Sequence, residues 1–322
     1  MKSIVCFGEA LVDFIGDPDA ESHGEHVFHQ HAGGAPANAA VAVARLGGRS
    51  EFVGMFGQDM FGDFLLERLS VAGVSTRYAV RTSAAKTALA FIALDARGER
   101  SFSFYRPPAA DLLFRAEHFS DDCFAQAAVF HVCSNSLTEE PIAQTTLQGM
   151  ARARQHGALV SIDLNLRPSL WPHDVDPLPR LWQALRAADL VKLAADELAY
   201  LMARDRGEAA VIDELLRSAR AVVVTDGAAP VRWFARGRNG TLPAFGVAAV
   251  DTTAAGDAFI GGLLFELAER DITAARLDAL LADEAAWARA LRFAAACGAL
   301  TVTRHGAFAA MPARAEVEAL LA

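Results

Sequence analysis

Several features that would signal a membrane, a metal finger or a stapled secreted fold are missing from this chain of 322 residues. No apolar stretch reaches the ~20 uncharged residues that a membrane-spanning helix needs. The N-terminal "MKSIVCFGEALVDFIGD" opens with one lysine and an apolar run, as a signal peptide would. Glu9 and Asp13 interrupt that run, and no small-residue cleavage site follows cleanly, so the segment reads as a first buried strand. The four cysteines (Cys6, Cys123, Cys133 and Cys297) lie far apart, form no CxxC pair and sit in apolar sequence. That favours reduced core thiols over disulfides or a metal site, and hence a cytoplasmic protein. A formal net charge of −9 lacks the basic excess that nucleic acid or an anionic membrane wants in a partner. Basic stretches such as "RARQHG" read more simply as solvated helix ends. There is no GxxxxGK[ST], which excludes a Walker-A protein. The "GEALVDFIGD" that follows the first strand lacks GxGxxG, which disfavours a dinucleotide-binding Rossmann domain and with it a dehydrogenase. No internal repeat and no low-complexity linker is visible.

What is present is an ordinary globular composition, 53% hydrophobic and 21% charged, over a length suited to one large α/β domain with a smaller appendage. Short β-branched or aromatic runs alternate with helical patterns. Strands are expected at "SIVCFG", "EFVGMFG", "AVFHVCS", "ALVSIDLN", "DLVKLA" and "AVVVTDG". Between two of them, "FGDFLLERLSVAG" puts Phe61, Phe64, Leu65 and Leu69 on one helical face. Such alternation predicts a mainly parallel sheet covered by helices on both sides. One region departs from it: "KTALAFIALDARGERSFSFYR", residues 86–106, reads as two alternating strands joined by a "DARGE" turn. Antiparallel strands with one polar face suit a small flap over a site better than a buried parallel sheet. The stretch "FHQHAGGAPAN" offers a further flap strand.

Two glycine-containing stretches carry the chemistry. "DTTAAGDAF", residues 251–259, places small residues at a strand-to-helix junction ahead of a long apolar helix. Amides at a helix start are unsatisfied and carry partial positive charge, and the small Ala254, Ala255 and Gly256 let an anion approach them. Asp257 then sits where it can take a proton from a substrate hydroxyl while the amides hold a transferring phosphoryl group. Taken alone, the stretch reads rather as a turn followed by a first-turn aspartate that the macrodipole favours. The second stretch, "GGAPANAAVAVARLGG", sets Gly33 and Gly34 ahead of Pro36, Asn38 and a small-residue helix. By itself this is a helix N-terminus with proline in its first turn.

Together the two stretches resemble the two signatures of the ribokinase-like (PfkB) family of carbohydrate kinases. "DLNLRPSLW" (163–171), "VKLAADEL" (191–198), "VTDG" (224–227) and "CGALTVTRHGA" (297–307) follow in family order, so the resemblance covers nearly the whole chain. It implies a single ribokinase-like domain over residues 1–322, a three-layer αβα sandwich with a mainly parallel sheet. A small β lid would come from roughly 12–32 and 76–110. It further implies an ATP-dependent sugar kinase with Asp257 as catalytic base and Ala254, Ala255 and Gly256 as the anion hole. Asp13, Gly33, Gly34 and Asn38 match positions that hold sugar hydroxyls, and Arg106 and Arg167 resemble arginines near substrate and phosphate. Lys192, Glu197, Thr225 and Gly227 fall on the ATP side, with Glu197 arranging water around Mg2+. Asp251, Thr253 and Gly306 resemble a monovalent-cation site for K+. Without the resemblance, Asp13 would read as a strand end, Asn38 as a helix cap, Glu197 as a helix-surface charge and the two arginines as surface residues.

The chain departs from the family pattern at three places. Position 254 is often Gly in the family and is Ala here. An L-residue in the left-handed region costs roughly 1–2 kcal/mol, so a negative φ is expected at Ala254. The Asn of the family's Asn-x-x-Glu motif is Ala194, and an Asn common near the adenine pocket is replaced around Ala295. For the substrate, "SFSFYRPPAADLL" is similar to fructokinases and to the neighbouring aminoimidazole riboside kinases. It is less similar to ribokinases or adenosine kinases. Phe104 stands where 2-keto-3-deoxygluconate kinases tend to carry Tyr. The resemblance therefore implies transfer to the 6-hydroxyl of fructose, in a homodimer of the kind the family often forms. Aminoimidazole riboside, 2-keto-3-deoxygluconate and a catalytically silent sugar-binding regulator are the alternatives.

Overall fold

The computed structural model describes residues 2–17, 27–94, 100–202 and 207–322. From the N-terminus run β1 (Ser3–Phe7), β2 (Leu11–Gly16), β3 (Phe28–Gly33), α1 (Ala35–Arg45), β4 (Ser50–Val53) and β5 (Met55–Gly57). Next come α2 (Met60–Val71), β6 (Val80–Thr82), β7 (Leu89–Leu94), β8 (Arg100–Tyr105), α3 (Asp121–Ala125), β9 (Ala127–Cys133) and α4 (Glu140–Gln155). The middle of the chain adds β10 (Leu159–Asp163), α5 (Leu178–Ala187), β11 (Leu190–Ala194), α6 (Ala195–Leu201), α7 (Glu208–Leu215) and β12 (Ala221–Thr225). It closes with β13 (Val231–Ala235), β14 (Arg238–Leu242), α8 (Ala255–Glu269), α9 (Ala274–Ala282), α10 (Glu284–Thr301) and α11 (Arg314–Leu321).

The large sheet has the order β14-β13-β12-β11-β10-β9-β1-β4. It is parallel except for β13 and β14, which pair antiparallel at one edge. Its strands are apolar on both faces because both faces are covered. Ile4, Val129, Leu159 and Val223 point into a core shared with α1, α8 and α10. Their neighbours Val5, Phe130, Val160 and Val224 point into a second core shared with α4, α5, α6 and α7. This is the expected αβα sandwich.

A separate four-stranded sheet has the order β3-β2-β7-β8, with β2 and β7 parallel and the outer pairs antiparallel. The expected strands on either side of "DARGE" are β7 and β8; the turn itself, 95–99, lies outside the described residues. Two single strands read from the sequence are each two strands in the structure. "SIVCFGEALVDFIG" breaks after Phe7, so β1 enters the large sheet and β2 the small one. "EFVGMFG" breaks at Gly54, which lies against the Gly8 carbonyl, and β5 leaves to pair with β6. Periodicity cannot show such a change of sheet, because both halves are apolar and extended. The β13–β14 hairpin, with Val231, Trp233 and Ala235 buried in alternation, was not anticipated either.

Candidate active site

The parallel strands bring their carboxyl ends to one edge of the large sheet, where open α/β sheets place ligands. Helix α8 starts at that edge. Ala254, its N-cap, has φ 60° and ψ 12°, which corrects the expected negative φ. The left-handed turn lets the Ala254 carbonyl accept the first helical hydrogen bond, from Ala258 N at 2.8 Å; Ala255 N donates to the Thr252 carbonyl at 3.4 Å, and Gly256 follows on the wall of a cavity. Tertiary geometry here overrides a local cost of roughly 1–2 kcal/mol.

Asp257 lies in the first turn of α8 and is buried. Both of its carboxylate oxygens accept a carboxamide N–H: Oδ2 from Asn38 Nδ2 at 2.7 Å and Oδ1 from Asn165 Nδ2 at 3.1 Å. Asn38 comes from α1, and its Oδ1 is buried without a partner, an acceptor left over for a ligand hydroxyl. Asp13 comes from β2 of the small sheet. Burial, then the Asp257 charge, pushes its carboxyl up from an ordinary 3.8 to about 7. A side chain at Gly33 would collide with Asp13 Oδ2, so glycine there makes room for that carboxylate. Gly34 follows as the N-cap of α1. The structure thus brings Asn38 and Asp13 to Asp257, and Gly33 to Asp13.

Arg106 is placed differently from Arg167. It follows β8 at 2% exposure, donating from Nε and Nη2 to Asp111 Oδ2 (2.9 and 2.6 Å) and from Nη2 to the Asn135 carbonyl (2.8 Å). The buried Glu9 accepts from Asn135 Nδ2 at 2.9 Å and from Ala35 N at 3.2 Å, joining the same network. Arg106 therefore sits where the chain passes from the small sheet back to the large one. Arg167 is exposed on the rim of the Asp257 cavity.

That cavity has a volume of about 470 Å3, and Lys192, Glu197, Thr225, Gly227 and residues 254–257 reach its wall. The Lys192 ammonium pairs with the buried Asp163 at 2.8 Å. Burial alone would lower the Lys192 pKa, but the Asp163, Glu197 and Asp257 carboxylates outweigh it and raise it, so the group is a cation. A Cβ at Gly256 would lie 2.8 Å from Lys192 Nζ, which puts that charge directly against the start of α8. Glu197 has both oxygens on backbone amides: Oε2 accepts from Ala194 N and Oε1 from Leu166 N, each at 2.7 Å. Next door, a second cavity of about 440 Å3 shares Thr225, Gly227 and Gly256 and is walled by Val231, Phe245, Phe259 and Ala295. Asp251 ties two loops together, accepting from Thr253 N (2.9 Å) and Gly306 N (3.0 Å).

Sequence reasoning missed Asn165, Asp163 and Glu9. Asn165 stood inside the quoted "DLNLR", and an asparagine just past a strand end is a residue that tolerates positive φ, as it does here at 46°. Asp163 opens the same stretch and Glu9 interrupts the first apolar run, but their partners are distant in sequence, so neither position announced a role.

An aspartate at a helix start, beside a polar cavity that carries both Lys192 and carboxylates and shares residues with an apolar one, is the layout of a phosphotransferase acting on a small alcohol. The chain belongs to the pfkB family of carbohydrate kinases, whose sequence pattern matches residues 1–314. It is 41% identical to fructokinase-1 of Zea mays over 320 residues, covering 99% of this chain and 97% of that one. Its fold matches the crystal structure of a Xylella fastidiosa fructokinase with bound ATP at TM-score 0.95 and 54% identity, covering 99% and 98% of the two chains. A Vibrio cholerae fructokinase, in a form with fructose, ADP and calcium ion bound, matches at TM-score 0.87 and 33% identity over 100% and 99%.

Proposed function

We propose that the protein is an ATP-dependent fructokinase that transfers the γ-phosphoryl group of ATP to the 6-hydroxyl of fructose. The observation that carries this is Asp257. It is the residue where the wall bearing Asp13 and Asn38 meets the amide-lined cavity bearing Lys192. Asp13, the free Oδ1 of Asn38 and the Gly33–Gly34 backbone bind sugar hydroxyls. The apolar cavity takes the adenine, and with Ala295 in its wall it holds the base by packing. Thr225, Gly227 and Arg167 receive the phosphates.

In the transfer, Asp257 accepts the hydroxyl proton as the sugar oxygen bonds to the γ-phosphorus. The bond from that phosphorus to the β–γ bridging oxygen breaks, and ADP leaves with the electron pair. The Gly256 amide and the Lys192 ammonium face the charge on the transferring group. The fit for Mg2+ rests on the donors present: Asp196, Glu197 and Asp226 line the cavity with hard carboxylate oxygens, and Mg2+ takes few protein ligands beside water and phosphate. When bound, Mg2+ neutralises phosphate charge, and Glu197 would hold it through water. With Ala194 in place of an asparagine, Glu197 does this without a neighbouring carboxamide. Asp251, Thr253 and Gly306 keep two loops in register for a monovalent cation such as K+.

The small sheet, within roughly 12–32 and 76–110, serves as the lid that excludes water, a competing acceptor. Its outer face stacks Phe14 on Phe91 and sets Tyr105 edge-on to Phe91, with Phe28 39% and Tyr105 66% exposed, which supports a homodimer through that face. The four cysteines are free and buried, which supports a reducing, cytoplasmic location. No helix among the described residues is long and apolar enough to cross a membrane.

The test is ADP release with fructose, aminoimidazole riboside, ribose and 2-keto-3-deoxygluconate. Fructose should turn over fastest. Preference for another sugar would redirect the substrate assignment, and no ADP with any would indicate a silent regulator. Asp257→Asn should keep the fold and lower kcat by about 10²–10⁴-fold; a near-normal rate would remove Asp257 as the base.

A further inference from the structure

We infer that Asn165 is a positioning residue for Asp257, and that Glu197 acts on the same base through it. The inference rests on Asp257 being the base. Asn165 stands two residues past the end of β10 with φ 46°. The left-handed region costs most L-residues roughly 1–2 kcal/mol, and asparagine is among the few that enter it readily. Hydrogen bonds on both sides hold the kink: Leu164 N donates to the Lys192 carbonyl at 3.1 Å, and Leu166 N to Glu197 Oε1 at 2.7 Å. The kink aims the carboxamide at Asp257 Oδ1.

An ionised carboxylate only accepts, so both carboxamides turn their N–H2 groups to Asp257. Donors on separate oxygens set the plane of the carboxylate as well as its position. Whichever oxygen takes the proton, the other keeps a donor. The two clamps differ in what else they do. Asn38 retains a buried, unpartnered Oδ1 suited to a sugar hydroxyl, whereas Asn165 reaches Asp257 from the wall that also carries Lys192 and Glu197. Glu197 spends one oxygen on the β11–α6 turn at Ala194 and the other on Leu166, beside Asn165. The chain of contacts from the nucleotide side to the base is therefore Ala194, Glu197, Leu166, Asn165 and Asp257.

Asn165→Gly tests this, because glycine accepts the left-handed backbone and removes only the carboxamide. We expect kcat for fructose to fall about 10–100-fold, as for a base displaced on the 1 Å scale. The KM values for fructose and ATP and the melting temperature should stay near those of the parent. Asn165→Ala should show the same loss of kcat together with lower stability, since alanine must carry the strain. The deciding measurement is Asn165→Gly combined with Asp257→Asn, which should be no slower than Asp257→Asn alone. A further loss in that background would show that Asn165 touches substrate or phosphate itself, and would overturn the inference. So would a kcat within twofold of the parent in Asn165→Gly, or a loss expressed in KM. If Asp257→Asn itself keeps a near-normal rate, the base assignment falls and this inference with it. A dead Asp257→Asn beside a normal Asn165→Gly removes this inference alone.

Discussion

Asp13 is removed from water and, secondly, feels the charge of Asp257, so its carboxyl is pushed up from 3.8 to about 7. Between those values the folded protein holds a proton that the unfolded chain has released. Stability therefore falls as pH rises through that window, and the whole cost of ionising Asp13 is present above it. Asp13→Asn should melt a few degrees higher than the parent at pH 8, with its advantage widening from pH 4 to pH 7 and then levelling. The same variant should bind fructose more weakly, having lost a carboxylate acceptor. Equal melting curves at pH 8 would mean that the buried charge costs nothing. At this scale the sequence was informative where a residue belonged to a motif. Asp13, Asn38 and Asp257, all named from the sequence, stand together in the structure. Arg106 did not open its meaning in the same way: its identity suggested an anion, while its surroundings commit Nε and Nη2 to Asp111 and Asn135.

At the level of elements, α8 is apolar nearly all round and buried along most of its length. It was legible as a helix because most of its 15 residues are small or aliphatic and follow a turn of small residues. The conformation of that turn was not legible. Propensity argues against a left-handed alanine, but the chain must reverse at Ala254 for α8 to point its first amides into the cavity. Ala254→Gly should relieve the strain and raise unfolding stability by about 1 kcal/mol in a denaturant titration, with kcat unchanged. Destabilisation would show instead that the Ala254 methyl, which packs on the α1–α8–α10 core, outweighs the strain. The same limit applies to β1 and β2. Their apolar pattern was clear, and their assignment to two different sheets was not, because the break at Gly8–Ala10 has meaning only against α1 and β4.

For the whole molecule, the small sheet presents Asp13 on one face and a row of aromatic rings on the other. Phe14 and Phe91 stack at 5.0 Å, and Tyr105 meets Phe91 edge-on at 5.3 Å. If that outer face is the seam of a homodimer, Phe28→Asp combined with Tyr105→Asp should convert a dimer to a monomer in sedimentation velocity. A parent that already sediments as a monomer would remove the proposal. The residues that make up each strand-helix alternation, and those within each glycine-containing signature, lie close together along the chain. Backbone period and helix-start chemistry are local properties, so the sequence by itself determined the αβα class, the positions of most strands and the identity of the aspartate at the start of α8. What depended on distant contacts was left to the tertiary structure: the left-handed Ala254, the enclosure of Arg106, the pairing of Lys192 with Asp163, and the clamp that Asn38 and Asn165 place on Asp257. Those partners lie 219 and 92 residues from it in sequence, and only the packing of α1 against α8 and the kink that follows β10 bring their carboxamides within hydrogen-bonding reach.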